Sequence, residues 1–220
     1  VKQLVMLGTP NHGSFVPVQA IRAVYSVVRQ VAGLDPFHSA EELSSLVFTT
    51  FPGLYQMLPT TEKFNALDLY DPAVWPQQGP RPRSEILAKV KPVQQSLAKA
   101  DDRFFLIAGV NQDTVTNLRI EQSEFLYEQT NEGDSTVPLA FCRLEGAKTY
   151  YVEESHGSLP NNRSVGNAVI DLIATGKTTV LSDQWTQVRR GPAQPLRDSE
   201  LRAPAFEGRR DPGQLTQREL

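Results

Sequence analysis

The sequence predicts an α/β fold with a mostly parallel sheet and helices on both faces, and three observations carry that expectation. Gln3–Leu7, Arg103–Val110 and Lys148–Val152 read as short strands. The middle one holds Phe104, Phe105, Leu106, Ile107 and Ala108 in a continuous apolar run of the sort found in central parallel strands. Segments with apolar residues at helical spacing alternate with these strands, which is the order of a parallel sheet covered by helices. The 220 residues, 40% of them hydrophobic, fit one domain with an appendage better than two.

Taken in order, the opening strand stops at Gly8-Thr9-Pro10-Asn11-His12-Gly13-Ser14, a dense cluster of turn-formers. Val16–Val31 places Val18, Ile21, Val24, Tyr25, Val28 and Val31 on one helical face, and Gly33 and Pro36 close it. Ser39 with Glu41 and Glu42 starts a second helix, the serine as cap and the acids against the dipole, running to about Thr50. Pro52-Gly53 breaks it. From Leu54 to Pro82 the text is irregular, with apolar patches among prolines, so residues 16–82 are expected to form a helical lid or cap insertion. A third helix starts with Ser84 as cap and continues to about Ala100, with Pro92 as a local irregularity. Val115–Ile120 and Glu124–Gln129 are more polar strands that suit an edge hairpin. Asn162–Ala174 is a helix ended by Gly176.

Beyond Gly176 the pattern changes. Gln184–Leu220 is rich in Arg, Pro, Asp and Glu, so 177–220 reads as a linker or disordered tail, with Leu215–Leu220 as the start of a helix. Three strands are few for a free-standing sheet, and Val1 opens inside one. A missing front half is expected, with room for a further domain after Leu220.

A net charge of −3 without long runs of one sign favours neither nucleic acid nor an anionic membrane. No apolar stretch approaches the roughly 20 residues of a transmembrane segment. The single cysteine, Cys142, excludes an intrachain disulfide; with no secretory signal visible, this slightly favours the cytoplasm.

Two loops carry chemistry. Thr130–Pro138 contains Asp134 between Gly133 and Ser135, and Glu153–Ser158, directly after a strand, contains His156. In open α/β sheets reactive groups gather beyond the carboxyl ends of strands. An acid followed by a histidine on the next such loop matches the late part of the order Ser…Asp/Glu…His. The histidine would take a serine's proton and return it to the leaving group; the carboxylate would fix its tautomer. Taken alone, Asp134 reads more readily as a turn residue, and His156 equally as a surface loop histidine.

Four segments, in order, resemble the family of bacterial lipases and lecithin:cholesterol acyltransferase-like proteins. Leu7–Ser14 resembles its LGTPNxGS segment, Pro52–Pro59 its PSLYQLLP segment, Gly133–Pro138 its GDGTVP loop, and Ser155-His156-Gly157 the loop of its catalytic histidine. The resemblance covers about Val1–Gly176 and implies the C-terminal half of an α/β-hydrolase fold. It implies a serine-type ester hydrolase (lipase or esterase) or O-acyltransferase on lipid or other acyl esters, with Asp134 and His156 as triad members and no cofactor or metal. The chain departs from the pattern at Ser135, where the family usually has glycine. The family's G-x-S-x-G elbow is absent, so the serine is expected upstream and the 220 residues alone are expected to be inactive. Tyr55, Leu58 and Trp75 are candidate substrate-binding residues in the lid segment.

The remaining candidates read as structural. Gly133–Val137 is not an elbow, Ser14 and His12 are loop residues, His38 precedes a helix, and Cys142 is a small core residue. Hydrolysis and acyl transfer stay open, and so does a different class of function, a non-catalytic α/β module that binds a ligand or partner.

Overall fold

The computed structural model describes residues 1–96, 99–188 and 194–202. A three-stranded parallel sheet is built from β1 (Leu4–Leu7), β2 (Phe104–Gly109) and β5 (Lys148–Val152), in the order β1-β2-β5. Leu4 pairs with Phe104 and Phe105 with Lys148, so all three strands end along one edge. β2 is central and nearly all buried, as its apolar run requires.

Alternation along β2 divides the core. Phe105 and Ile107 pack with Tyr150, Leu159, Val165 and Leu172, the last two from α7 (Arg163–Thr175). Ala108 and Val110 belong to the larger cluster, with Val18, Tyr55, Leu87 and Phe141. That cluster draws on α1 (Val16–Ile21), α4 (Pro52–Gln56), α5 (Ser84–Gln95) and α6 (Leu139–Cys142), while α2 (Ser26–Leu34) follows α1. Between α2 and α4 lies α3 (Ala40–Leu46).

β3 (Thr114–Glu121) and β4 (Glu124–Thr130) form the expected hairpin, but in a second, antiparallel sheet, with β6 (Leu196–Arg197) beside β4. Its turn residues Gln122 and Ser123 both have positive φ, 52° and 64°. This is the twist a two-residue hairpin needs, achieved without the usual Asn-Gly. Leu118, Phe125 and Tyr127 enter the larger core, so the hairpin is a wall of the domain rather than an exposed edge.

Four expectations need correction. The single helix over Val16–Val31 is two helices. Ala23 sits at φ 61°, Ala23 N–H bonds to Ala20 O and Val24 N–H to Gln19 O. That is a Schellman ending with alanine where glycine is usual, and so without a sequence signal. Pro52 does not only break a helix; it occupies the first turn of α4, where its missing N–H costs nothing.

Tyr55, Leu58 and Trp75 are not open to a ligand. They are 0%, 0% and 1% exposed. Tyr55 Oη donates to Thr49 O and Trp75 Nε1 to Leu69 O, each at 2.8–2.9 Å, and the Trp75 ring meets Phe125 edge-on. Between Leu54 and Pro82 these three residues join Phe64, Leu69 and Tyr70 in the core, while Met57 is exposed.

The tail is likewise partly built in. Leu181 is buried, and Asp198, at the start of α8 (Asp198–Leu201), is completely buried. Its carboxylate meets Arg22 Nε at 2.8 Å and accepts from Tyr127 Oη at 2.8 Å. A charge-rich sequence hides this because the charges are paired inside. Residues 189–193 and 203–220, including the helix start read at Leu215–Leu220, lie outside the described residues.

Candidate active site

β2 and β5 are adjacent and parallel, so the chain leaving each emerges at the same edge of the sheet. After β5 the chain turns through Glu153–Ser155 and enters a 3-10 helix whose first residue is His156. After the hairpin, β4 delivers the turn 131–138, which Gln112 N–H ties to the end of β2 by bonding to Gly133 O at 3.1 Å. These two segments bring Asp134 and His156 together.

His156 Nδ1 lies 2.8 Å from Asp134 Oδ2, and His156 N–H donates to Asp134 O at 2.7 Å. The second carboxylate oxygen, Oδ1, accepts N–H bonds from Val137 at 2.7 Å and Thr136 at 3.1 Å. Asp134 is 1% exposed, yet both oxygens are satisfied, as a buried carboxylate requires. The His156 side chain is 35% exposed. Hydrogen bonding to Asp134 raises its pKa above the ordinary histidine value, against the opposing pull of burial. With the Nδ1 proton held by the carboxylate, Nε2 is the ring's basic nitrogen.

Gly8, where β1 ends, completes the packing. It has φ +55°, and a Cβ there would come within 2.7 Å of Asp134 Oδ2 and 3.0 Å of His156 Nδ1. Only glycine supplies both the conformation and the space. The sequence marked Gly8 as a turn residue and gave no sign of this contact, which spans most of the chain.

The other candidates are occupied elsewhere. Ser14 Oγ accepts from Val16 N–H at 3.2 Å at the start of α1. His12 Nδ1 sits 3.3 Å from Thr60 Oγ1, with a pKa lowered by burial. His38 pairs with Asp35 at 2.9 Å on the surface. Cys142 is buried, and burial pushes its thiol up to about 12, far from a reactive thiolate. Ser155 and Ser158, beside His156 in sequence, share a 3.1 Å hydrogen bond with each other. Among the described residues no set of three His, Cys, Asp or Glu side chains could hold a metal, and no helix is long and apolar enough to cross a membrane.

A carboxylate-oriented imidazole with a raised pKa can accept and return a proton near neutral pH. Comparison with family models, with curated proteins and with solved structures found no match to this chain.

Proposed function

We propose that Asp134 and His156 are the acid and base of a Ser-Asp-His triad in a carboxylic ester hydrolase or O-acyltransferase, with the serine supplied from outside these 220 residues. The observation that carries the reading is the 2.8 Å contact between Asp134 Oδ2 and His156 Nδ1 beyond the strand ends. The Asp-before-His order and the four resembling segments supply the rest of the support.

In this reading His156 Nε2 takes the serine hydroxyl proton as the oxygen adds to the acyl carbonyl. The proton then passes to the departing alkoxide as the ester C–O bond breaks, leaving an acyl-enzyme. Water or an acceptor alcohol repeats the cycle in reverse, freeing an acid or a new ester. Asp134 stays ionised throughout and stabilises the imidazolium. No cofactor enters the scheme. The substrate is an acyl ester, lipid or otherwise.

The test uses the natural full-length protein and short p-nitrophenyl esters. Turnover is expected, falling about 10⁴-fold in Asp134→Asn and at least as far in His156→Ala. Turnover unaffected by either substitution would sink the proposal. Absence of turnover in the parent would favour the non-catalytic binding module instead.

A further inference from the structure

Asp134 precedes a residue in a conformation that L-residues avoid. Ser135 has φ 74°, in the left-handed region, and its side chain is exposed, so its own packing does not hold it there. What does reach it is Thr114, the first residue of β3. Thr114 is 1% exposed, and its Oγ1 accepts the Ser135 N–H at 2.9 Å and donates to Gln112 O at 2.8 Å.

The contact is close because Gly133 lets it be. A Cβ on Gly133 would lie 2.6 Å from Thr114 Oγ1 and 2.7 Å from its Cγ2. The hydroxyl therefore clamps the strained peptide from below, while Gln112 anchors the residue before Asp134 through Gly133 O. The next two N–H groups, Thr136 and Val137, are the pair that hold Asp134 Oδ1. If Ser135 relaxed toward negative φ, those donors would turn away and the carboxylate would lose its fixed direction toward His156.

We propose that Thr114 is a positioning residue for the acid: its hydroxyl holds Ser135 in the left-handed conformation and so keeps Asp134 aimed at His156. Its kinetic arm rests on the ester-hydrolase reading; its structural arm does not.

The experiment compares Thr114→Val, Thr114→Ser and the double variant Thr114→Val/Ser135→Gly in the full-length protein. Valine keeps the shape of threonine and removes both hydrogen bonds; serine keeps the hydroxyl; glycine at 135 takes positive φ without help. The first readout is the titration of the His156 ring by NMR, the second kcat and KM on p-nitrophenyl esters. In Thr114→Val the His156 pKa should fall toward the ordinary value, and kcat should drop about 10- to 100-fold with KM nearly unchanged. Thr114→Ser should behave as the parent, and the double variant should recover most of the loss. The proposal is overturned if Thr114→Val leaves the titration unchanged, or if Thr114→Ser falls as far as Thr114→Val. It is also overturned if glycine at 135 restores nothing, and this last arm decides the matter should the valine variant be too unstable to titrate. A parent without esterase activity that still shows the titration pattern would keep the role of Thr114 and remove the hydrolase reading.

Discussion

At His156 the ring is held between opposing influences, a carboxylate that favours its charged form and a half-buried setting that disfavours it, and the carboxylate wins. The folded protein therefore keeps the His156 proton to higher pH than an unfolded chain does. The stability gained is complete below about pH 6.5, the ordinary histidine value, and fades as pH rises through the folded value. Catalysis would run the opposite way, since a general base must be unprotonated: kcat/KM should rise with pH along a single ionisation above about 6.5. Asp134→Asn removes the dominant influence and leaves the desolvation, so the ring should titrate lower in that variant. NMR titration of the two proteins checks it, and identical curves would contradict the assigned hydrogen bond. Residues such as these can be read from sequence because their chemical types are rare in loops and their order along the chain is informative. Thr114 and Gly8 cannot. Each acts through a partner distant in sequence, and a threonine opening a strand or a glycine closing one is ordinary taken alone.

Elements were readable where their ends carry side-chain chemistry. Ser39 is the cap of α3 as expected: its Oγ accepts from Glu42 N–H at 3.1 Å and Glu42 Oε2 accepts from Ser39 N–H at 2.7 Å, a full capping box. Asn162 caps α7 with bonds to the N–H groups of Ser164 and Val165, and Gly176 ends it at φ 72°. Ser39→Ala should cost about 1 kcal/mol, seen as a lower urea midpoint with an unchanged denaturant slope. No change in midpoint would mean that α3 is held by the packing of Leu43 and the Ser44 hydrogen bonds to α1 rather than by its cap. Elements were misread where backbone geometry lacks its customary residue. Alanine at a left-handed helix end concealed the break between α1 and α2, whereas the β3–β4 hairpin was legible from its two strands although its turn, Gln122-Ser123, lacks the usual Asn-Gly. Both conformations are stabilised from outside the element, by the core that receives Val24 on one side and Leu118 and Phe125 on the other.

Across the whole molecule, the hydrophobic pattern defined the parallel sheet but not how its surroundings close. Arg22 is 1% exposed, and its guanidinium donates to Pro80 O at 2.7 Å and Pro76 O at 3.2 Å as well as to Asp198 at 2.8 Å. One side chain thus binds the end of α1, the loop before α5 and the strap formed by β6 and α8, while Tyr127 ties the same carboxylate to β4. Burial first, then the Asp198 charge, pushes the Tyr127 phenol well above its ordinary pKa, so it remains a donor at any physiological pH. The pairing is weak evidence of net stabilisation, because burying both charges costs about as much as their attraction returns. Breaking it is a different matter. Asp198→Ala leaves a buried cation facing carbonyl groups and the Phe125 ring, with no counter-charge, and should destabilise the protein by about 3–5 kcal/mol. A double replacement by apolar residues, Arg22→Met with Asp198→Leu, should cost less than Asp198→Ala alone, since the Tyr127 hydroxyl loses its acceptor in both but the Arg22 charge is stranded only in the single variant. Urea unfolding of the three proteins separates the cases. If Asp198→Ala shifts the midpoint no more than an ordinary surface change, within about 0.5 kcal/mol, the strap is an ornament on a fold complete without it. If the loss is large, residues that composition alone assigns to a tail are a structural part of the domain.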